Sequence, residues 1–266
     1  MQISPIQGKL DQSSFFIYAA ADAGYFDRHG IPLINSVTRN TQHGIHLHLY
    51  NPRQDQLNFC QQHNRVSVTW ETVTQQQFQS AFDFWKQPAL PDPYMGRKQK
   101  MLGLKQYELK GNDLESLQIW LWKTYYACMR FVRLAEIVQH PTALLAIDVD
   151  GLVRAPFATQ FDNHDFYLYQ KDKGGHLAGA ILYSARPGTM QFIQQLAAII
   201  RREIEQDNIY WFLDQHSLDQ IVNQYHKGLL PLSYIDWHMS LDSAIWSAKG
   251  KRKELAVFKQ EQQKYL

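Results

Sequence analysis

The segment "LLAIDVDGLVRAP", residues 144–156, places two aspartates directly after a run of apolar residues. Such a run is typical of a buried strand. Because side chains alternate along an extended backbone, Asp148 and Asp150 point to the same side of the chain. Two neighbouring carboxylates repel each other unless a proton or a cation lies between them. The segment therefore predicts a divalent metal site on Asp148 and Asp150. The competing interpretation is a turn rich in hydrogen-bond acceptors.

The composition is that of a folded protein without a strong charge bias. The 266 residues, of which 45% are hydrophobic, fit one large domain with a sizeable core. A net charge of +2 gives no general attraction to nucleic acid or to an anionic membrane. Only Cys60 and Cys128 are present, which argues against a disulfide framework or a cysteine zinc site. No apolar signal core and no uncharged apolar run of about 18 residues occurs, so we expect a cytoplasmic protein without a transmembrane segment.

Strand and helix patterns alternate along the first 150 residues. Strands are predicted at residues 15–21, 45–52, 65–70 and 143–150, and helices at 25–40, 74–86 and 112–140. Gly30 and Pro32 are expected to interrupt the first helix, and residues 87–111 are expected to form a long loop. This order predicts a largely parallel sheet with helices on its faces, in which ligands bind at the carboxyl ends of strands. Asp22 and the aspartate pair then share one edge.

The second half of the chain predicts strands and helices in a less regular order. Strands are expected at residues 166–170 and 177–185, and helices at 188–206, 214–228 and near the C-terminus. The helix at 214–228 has Asp214 as a candidate N-cap and Gly228 as its stop. We expect a single domain, residues 1–266, with halves of about residues 1–150 and 151–266.

Two pairs of residues have plain structural interpretations. His46 and His48 alternate with apolar residues and are interpreted as one polar strand face rather than as metal ligands. Trp120 and Trp122, within the long helix, are interpreted as core residues.

The "AIDVDG" motif, residues 146–151, fits two metal-dependent enzyme classes. In haloacid-dehalogenase-type phosphohydrolases the first aspartate attacks phosphorus and the second is the acid or base. That motif normally lies on the first strand of its domain. In GT-A nucleotide-sugar glycosyltransferases an Asp-x-Asp pair holds a divalent cation on the donor diphosphate. Here the pair follows three other predicted strands, which favours the glycosyltransferase class.

Five further segments carry a resemblance to that class. They are "FIYAAADAGYF" (16–26), "YYACMRFVRLAEIV" (125–138), "HLAGAILYSARPG" (176–188), "WFLDQHSLDQIV" (211–222) and "IWSAKGKRK" (245–253). With the aspartate pair, they make the chain resemble the GT-A nucleotide-diphospho-sugar transferases, especially the retaining, galactosyltransferase-like branch. The resemblance extends from about residue 15 to residue 253.

The resemblance implies an α/β fold of the GT-A type, a Rossmann-like, mostly parallel mixed sheet flanked by helices. It implies transfer of a sugar from a nucleotide-diphosphate donor, with UDP-hexose expected, to a glycan, lipid or protein acceptor. Mn²⁺ or Mg²⁺ would be held by Asp148 and Asp150, and the loop at 87–111 is a candidate for covering the acceptor. Residues 1–150 would bind the nucleotide and residues 151–266 the sugar and acceptor.

The resemblance also implies roles for individual residues. The catalytic pair would be Asp214 and Gln215, which open a late helix. Donor contacts are expected from Ala19, Ala20, Asp22, Tyr25, Arg130, Val149, Gly179, Lys249 and Lys251.

The sequence also departs from the family pattern. Leu177 stands where a sugar-binding asparagine is usual, and Trp246 stands near the place of a metal-binding histidine. His238 does not align with that histidine, so a third protein ligand is not identified. A haloacid-dehalogenase-type, Mg²⁺-dependent phosphohydrolase and a degenerate, non-catalytic GT-A binding protein remain the alternatives.

Overall fold

The structure is a computed structural model that describes residues 1–11, 14–91, 93–102, 111–159, 161, 163–170, 175–248 and 250–266. Its strands are β1 (Gln7–Gly8), β2 (Phe16–Asp22), β3 (Gly44–Tyr50), β4 (Val66–Glu71), β5 (Leu144–Ile147), β6 (Gly151–Val153), β7 (Phe166–Gln170), β8 (His176–Tyr183), β9 (Lys227–Leu229), β10 (Ile235–Asp236) and β11 (Ile245–Ser247). The strands expected from the apolar runs are confirmed within one to three residues at each end.

The α-helices are α1 (Ala23–Tyr25), α2 (Ile31–Asn40), α3 (Gln54–Gln61), α4 (Gln79–Trp85), α5 (Tyr94–Leu102), α6 (Gly111–Ile137), α7 (Pro187–Glu205), α8 (Leu213–Ile221) and α9 (Ala256–Gln263). A π-helical turn, Phe26–Gly30, joins α1 to α2. Short 3₁₀ helices occupy Gln75–Phe78, Val222–Gln224 and Gly250–Glu254. Within the part of the chain that the structure describes, no helix is both long and apolar enough to cross a membrane.

The larger sheet is mixed and has the strand order β1-β4-β3-β2-β5-β8-β7-β9. Strands β4, β3, β2 and β5 run parallel, whereas β8 is antiparallel to β5 and to β7. The parallel strands therefore end at one edge, where Asp22 closes β2 and Asp148 follows β5. A smaller sheet has the order β10-β11-β6.

Alternate residues of the central strands enter two different core clusters. On β5, Leu144 and Ala146 pack on the side of α6 and α7, whereas Leu145 and Ile147 pack on the side of α2. The continuation of this alternation places Asp148 on the α6 side, which positions it to meet side chains of that helix. A third cluster, which contains Phe258, lies between the smaller sheet and α9.

Three expectations from the sequence are corrected. Residues 87–111 are not one loop, since α5 forms within them and α6 begins at their last residue; residues 92 and 103–110 lie outside the described residues. Helical structure runs from residue 23 to residue 40 without a break at Gly30 or Pro32. Pro32 is tolerated because it occupies the first turn of α2, where a backbone N–H has no helical partner.

The helix expected at 214–228 is shorter and begins differently. Phe212, with φ of 71°, precedes α8 as its N-cap, so Asp214 is a first-turn residue and not the cap. The helix ends at Ile221, and Gly228 lies in β9, which pairs with β7. A Cβ at Gly228 would lie 2.3 Å from the Tyr167 ring, so the glycine marks a close approach between strands rather than a helix end.

Candidate functional site

The aspartate pair lies in a tight turn directly after β5. The Gly151 amide donates to the Asp148 carbonyl oxygen at 3.0 Å, and the Asp148 amide donates to the Gly179 carbonyl oxygen at 3.0 Å. The Asp148 side chain is 35% exposed, whereas Asp150 is buried. The turn therefore presents one accessible carboxylate and one buried carboxylate at the sheet edge.

Arg130 joins the pair to the candidate catalytic aspartate. Its guanidinium forms an ion pair with Asp148, donates to the Ala178 carbonyl oxygen at 2.9 Å and lies 3.5 Å from Asp214 Oδ2. Burial alone would lower the pKa of Arg130, but the two carboxylates raise it by more, so the charge is retained. Arg130 thus brings residues from α6, the β5 turn and α8 together.

A lysine from the C-terminal segment covers Asp150. Lys253 Nζ lies 2.5 Å from Asp150 Oδ2 and donates to the Tyr25 hydroxyl at 2.7 Å. The Tyr25 amide in turn donates to Asp22 Oδ1 at 2.8 Å. The lysine expected at this site from the sequence was Lys249 or Lys251. Lys249 lies outside the described residues, and Lys251 is exposed.

The electrostatics of the pair still leave Asp150 short of compensating charge. Burial and, after it, the neighbouring Asp148 raise the pKa of Asp150 to about 6, against the opposing effects of Lys253 and Arg130. A divalent cation between the two carboxylates would reverse this balance.

The donor set of the turn matches a hard divalent cation. Carboxylate oxygens suit Mg²⁺ and Mn²⁺, and Mg²⁺ in particular binds through one or two carboxylates together with water and phosphate oxygens. No group of three or more His, Cys, Asp or Glu side chains suited to a metal is found among the residues with described positions. Within the described chain, Asp148 and Asp150 would then be the protein ligands of a cation at this turn, and such a pair fits a cation shared with a phosphate ligand.

A cavity of about 390 Å³ opens beside Asp22. Trp122 and Tyr126 of α6 line it together with Asp22, and Lys123 and Glu115 lie at its polar side. Because residues four apart share a helix face, Trp122, Tyr126 and Arg130 lie on the same face of α6. One face of α6 thus runs from an aromatic cavity to the aspartate pair. Trp120 and Trp122, interpreted from the sequence as core residues, are partly buried and pack against the core cluster, and Trp122 lines this cavity as well.

Gly179 of β8 is a neighbour of Asp148 across the strand pair. A Cβ at Gly179 would lie 2.7 Å from Asp148 Oδ2, so the absence of a side chain leaves room for the carboxylate. Gln215 follows Asp214 on α8, and the Gln215 amide donates to Asp214 Oδ1 at 2.8 Å. Both α8 residues are buried, and Asp214 is the one that lies next to Arg130.

Several expected contacts are placed away from the turn or turned inward. Val149 packs its side chain into the core, as do Ala19 and Leu177, whereas Ala20 is half-buried. Trp246 is buried and donates from Nε1 to the Ser240 carbonyl oxygen at 2.7 Å, so it fills the smaller sheet's core. His238 is exposed and is not part of a metal-binding cluster within the described chain.

The comparisons with known proteins agree on the fold. No protein-family model and no curated protein matches the sequence. The structure is similar to the glycosyltransferase GlyE of Streptococcus pneumoniae TIGR4, with a TM-score of 0.54 and 13% identity over 94% of this chain and 61% of GlyE. It is similar to the galactosyltransferase LgtC, solved with donor and acceptor sugar analogues, with a TM-score of 0.55 and 10% identity over 93% of this chain and 95% of LgtC.

A third similar structure is the bifunctional glycosyltransferase WbbM, with a TM-score of 0.54 and 13% identity over 96% of this chain. The chain spans 51% of WbbM and 61% of GlyE, so it corresponds to part of each of these proteins. At such low identity the likeness concerns the fold and not the substrates. The α/β architecture expected from the sequence is confirmed: the chain has the GT-A fold of nucleotide-sugar glycosyltransferases.

Proposed function

We propose that the protein is a metal-dependent glycosyltransferase that moves a sugar from a nucleoside-diphosphate donor to a hydroxyl acceptor. The observation that carries the proposal is the continuous line of side chains from Asp22 to Asp214. It starts at the aromatic cavity, passes Arg130 and the aspartate pair, and ends at a buried carboxylate. This line lies at the carboxyl edge of a GT-A sheet, which is where such folds bind ligands.

The charge and shape of this line support a nucleoside-diphosphate donor that lies along it. The nucleoside occupies the cavity, with its base against Trp122 or Tyr126 and its polar groups toward Asp22. The diphosphate extends toward Arg130 and Lys253, since lysine serves phosphate as a point charge. Asp148 and Asp150 would hold Mn²⁺ or Mg²⁺, which would neutralise charge on the diphosphate. UDP-hexose is the proposed donor, in keeping with the resemblance.

The transfer step exchanges one bond for another at the anomeric carbon. The bond to the diphosphate oxygen breaks with its electron pair leaving on the diphosphate, and an acceptor hydroxyl oxygen forms the new bond. The hydroxyl proton passes to the departing diphosphate oxygen. Asp214, together with Gln215, stabilises the positive charge that develops on the sugar. Arg130 stabilises the negative charge that develops on the leaving diphosphate. Retention of configuration is proposed from the resemblance to the retaining branch.

The test is thermal unfolding with Mn²⁺ and UDP, added separately and together. A ligand that binds the folded state at about 100 times its Kd stabilises by about 2.7 kcal/mol, which raises the midpoint by roughly 5 °C or more for a chain of this length. We expect this rise only when both are present, and we expect it to be lost in Asp150→Asn. The matched control is Asp83→Asn, an exposed aspartate paired with Lys86, which should keep the full rise.

Other results of these assays would distinguish the two alternative functions, a phosphohydrolase and a non-catalytic binding protein. Hydrolysis of an aryl phosphate with Mg²⁺ and without a UDP response would support a phosphohydrolase with Asp148 as nucleophile. A UDP response without sugar transfer to any acceptor or to water would identify a binding protein with a retained fold. Equal responses of the wild type and Asp150→Asn would reject the aspartate pair as the metal site.

A further inference from the structure

A second cavity, of about 220 Å³, lies between α5 and the start of α8. Tyr210, Trp211 and Phe212 supply three successive aromatic residues to its wall, and Arg97 of α5 supplies a cation. Trp120 packs edge-on against Trp211, with ring centroids 4.6 Å apart, and fixes the outer ring. We call this cavity, with these lining residues, the aromatic cleft.

The aromatic cleft is held open by the backbone before α8. Phe212 adopts a left-handed conformation, with φ of 71°, although it is not glycine. A left-handed backbone at a non-glycine residue costs about 1–3 kcal/mol and is concentrated at functional sites. The Leu213 amide donates to the Tyr210 carbonyl oxygen at 3.1 Å, and in this turn Tyr210 and Asp214 are buried whereas Trp211 and Phe212 are half-buried.

Arg97 brings an uncompensated positive charge to the aromatic cleft. Its guanidinium carbon lies 4.0 Å from the centroid of the Tyr210 ring and 5.6 Å from that of Tyr94. Among the residues that the structure places, no carboxylate forms an ion pair with Arg97, whereas Arg53 pairs with Asp27 and Asp55, and Arg186 pairs with Asp165. A guanidinium stacked on tyrosine still offers its in-plane N–H donors to an anion.

The aromatic cleft and the donor line are neighbours at the start of α8. Phe212 and His216 of the cleft flank Asp214 and Gln215 in sequence, and Asp214 Oδ2 lies 3.5 Å from Arg130. An oligosaccharide held in the cleft would therefore lie next to the start of the helix that carries the carboxylate proposed to stabilise the transferring sugar. Aromatic rings bind the apolar faces of pyranoses, and arginine binds a carboxylate through two hydrogen bonds.

From these observations we propose that the aromatic cleft is the acceptor subsite and that the acceptor is a glycan carrying an acidic sugar. The inference rests on the proposed glycosyltransferase function. The pyranose ring stacks on Trp211 and Phe212, and the carboxylate of the acidic sugar pairs with Arg97. The helix α5, which forms inside the segment expected to be an acceptor loop, supplies this arginine and so sets the preference for an anionic acceptor.

The test uses methyl β-D-glucuronide and methyl β-D-glucoside, which differ in a carboxylate against a hydroxymethyl group. Ligand-observed NMR titration measures both dissociation constants directly, without turnover. We expect the glucuronide to bind roughly tenfold more tightly or better, the effect of a charge-assisted hydrogen bond. Arg97→Gln should remove this preference and leave glucoside binding unchanged. Arg53→Gln, an exposed arginine paired with Asp27, is the matched control and should keep the preference.

A second variant and a second readout complete the design. Trp211→Ala should weaken both sugars together, since it removes the stacking surface and not the charge. Equal binding of the two sugars by the wild type, no binding of either, or a preference that survives Arg97→Gln would overturn the assignment. Circular dichroism and the unfolding midpoint of Arg97→Gln show that the variant is folded.

The same samples are tested for stabilisation by UDP with Mn²⁺. A UDP response without selectivity for the glucuronide rejects the acceptor subsite alone. Glucuronide selectivity without a UDP response retains an acidic-sugar site but rejects its role in transfer from a nucleotide sugar, and with it the proposed function.

Discussion

Asp148 has a glycine as its neighbour across the strand pair, and this single position can be used to test how the carboxylate is held. We predict that Gly179→Ala displaces Asp148 from Arg130, because the new methyl group would lie 2.7 Å from Asp148 Oδ2. Overpacking of this kind destabilises a folded protein by about 1–3 kcal/mol. Urea unfolding of the wild type and the variant measures the loss.

A double-mutant cycle isolates the cause of that loss. If the methyl group acts through the carboxylate, Gly179→Ala should have almost no effect on the free energy of unfolding in an Asp148→Ala background. The general entropic effect of replacing glycine is common to both backgrounds and cancels in the cycle. Equal losses in both backgrounds would mean that the clash involves other atoms and that Gly179 does not set the position of Asp148.

At the scale of secondary-structure elements, strands β3 and β4 carry a buried polar row between them. His46 hydrogen-bonds with Ser67 Oγ at 2.8 Å and with Thr69 Oγ1 at 3.0 Å, and His48 lies 3.3 Å from Glu71. The polar strand face expected from the sequence is thus confirmed, but both histidines are fully buried instead of facing water. Neutral imidazoles can satisfy such a row, whereas an imidazolium in it must be desolvated.

We predict that His46 makes the fold sensitive to mild acid. Burial lowers the pKa of His46 to about 3, from 6.5 in the unfolded chain, so below pH 6.5 the unfolded state binds the proton and the folded state does not. The stabilisation is fully present above pH 6.5 and is lost as the pH falls toward 3. Between pH 7 and pH 5 the loss from His46 should be about 2 kcal/mol.

Urea unfolding at pH 7 and pH 5 checks this prediction. His46→Gln, whose amide can bond to the same hydroxyls, should lose less stability than the wild type over that interval. His140→Gln changes an exposed histidine and serves as the control, with the same loss as the wild type. An unchanged pH dependence in His46→Gln would show that His46 is protonated without penalty in the fold.

The elements also show which features can be read from the chain itself. Strand β5 and its aspartate pair were predictable, because an apolar run and a spacing of two residues are local properties. The start of α8 was not, because Phe212 adopts a left-handed conformation that its residue type does not suggest. Lys253 was not predicted, because Lys249, Lys251 and Lys253 belong to one basic run and their spacing does not distinguish them. In the structure, Lys253 lies in the 3₁₀ helix Gly250–Glu254 and pairs with Asp150.

On the scale of the whole molecule, the C-terminal segment returns to the first half of the fold and closes the candidate site. The Asn35 and Asn40 side chains of α2 donate to Tyr265, at 2.8 Å to its carbonyl oxygen and 2.9 Å to its hydroxyl. Phe258 of α9 is fully buried in the cluster beside the smaller sheet. The segment that carries Lys253 is therefore anchored just after it, by α9.

This anchoring predicts that a distant core residue influences donor binding. Phe258→Ala should lower the free energy of unfolding by about 3 kcal/mol or more, because it empties a buried aromatic site. It should also weaken the stabilisation by UDP with Mn²⁺, because Lys253 then loses the support that holds it over Asp150. Val257→Ala, at a side chain that is 44% exposed, should change stability by at most about 0.5 kcal/mol and leave the UDP response intact.

The free energy of unfolding and the UDP response together show whether α9 positions Lys253 over Asp150 or only stabilises the fold. UDP titrations are run at a temperature where both variants remain folded, so that a weaker response reflects binding and not unfolding. Lys253→Met, which removes the ammonium and keeps much of the side chain's length, should reproduce the weaker UDP response without the large loss of stability. If Phe258→Ala bound UDP as the wild type does, α9 would be a structural cap, and the ion pair between Lys253 and Asp150 would form without it.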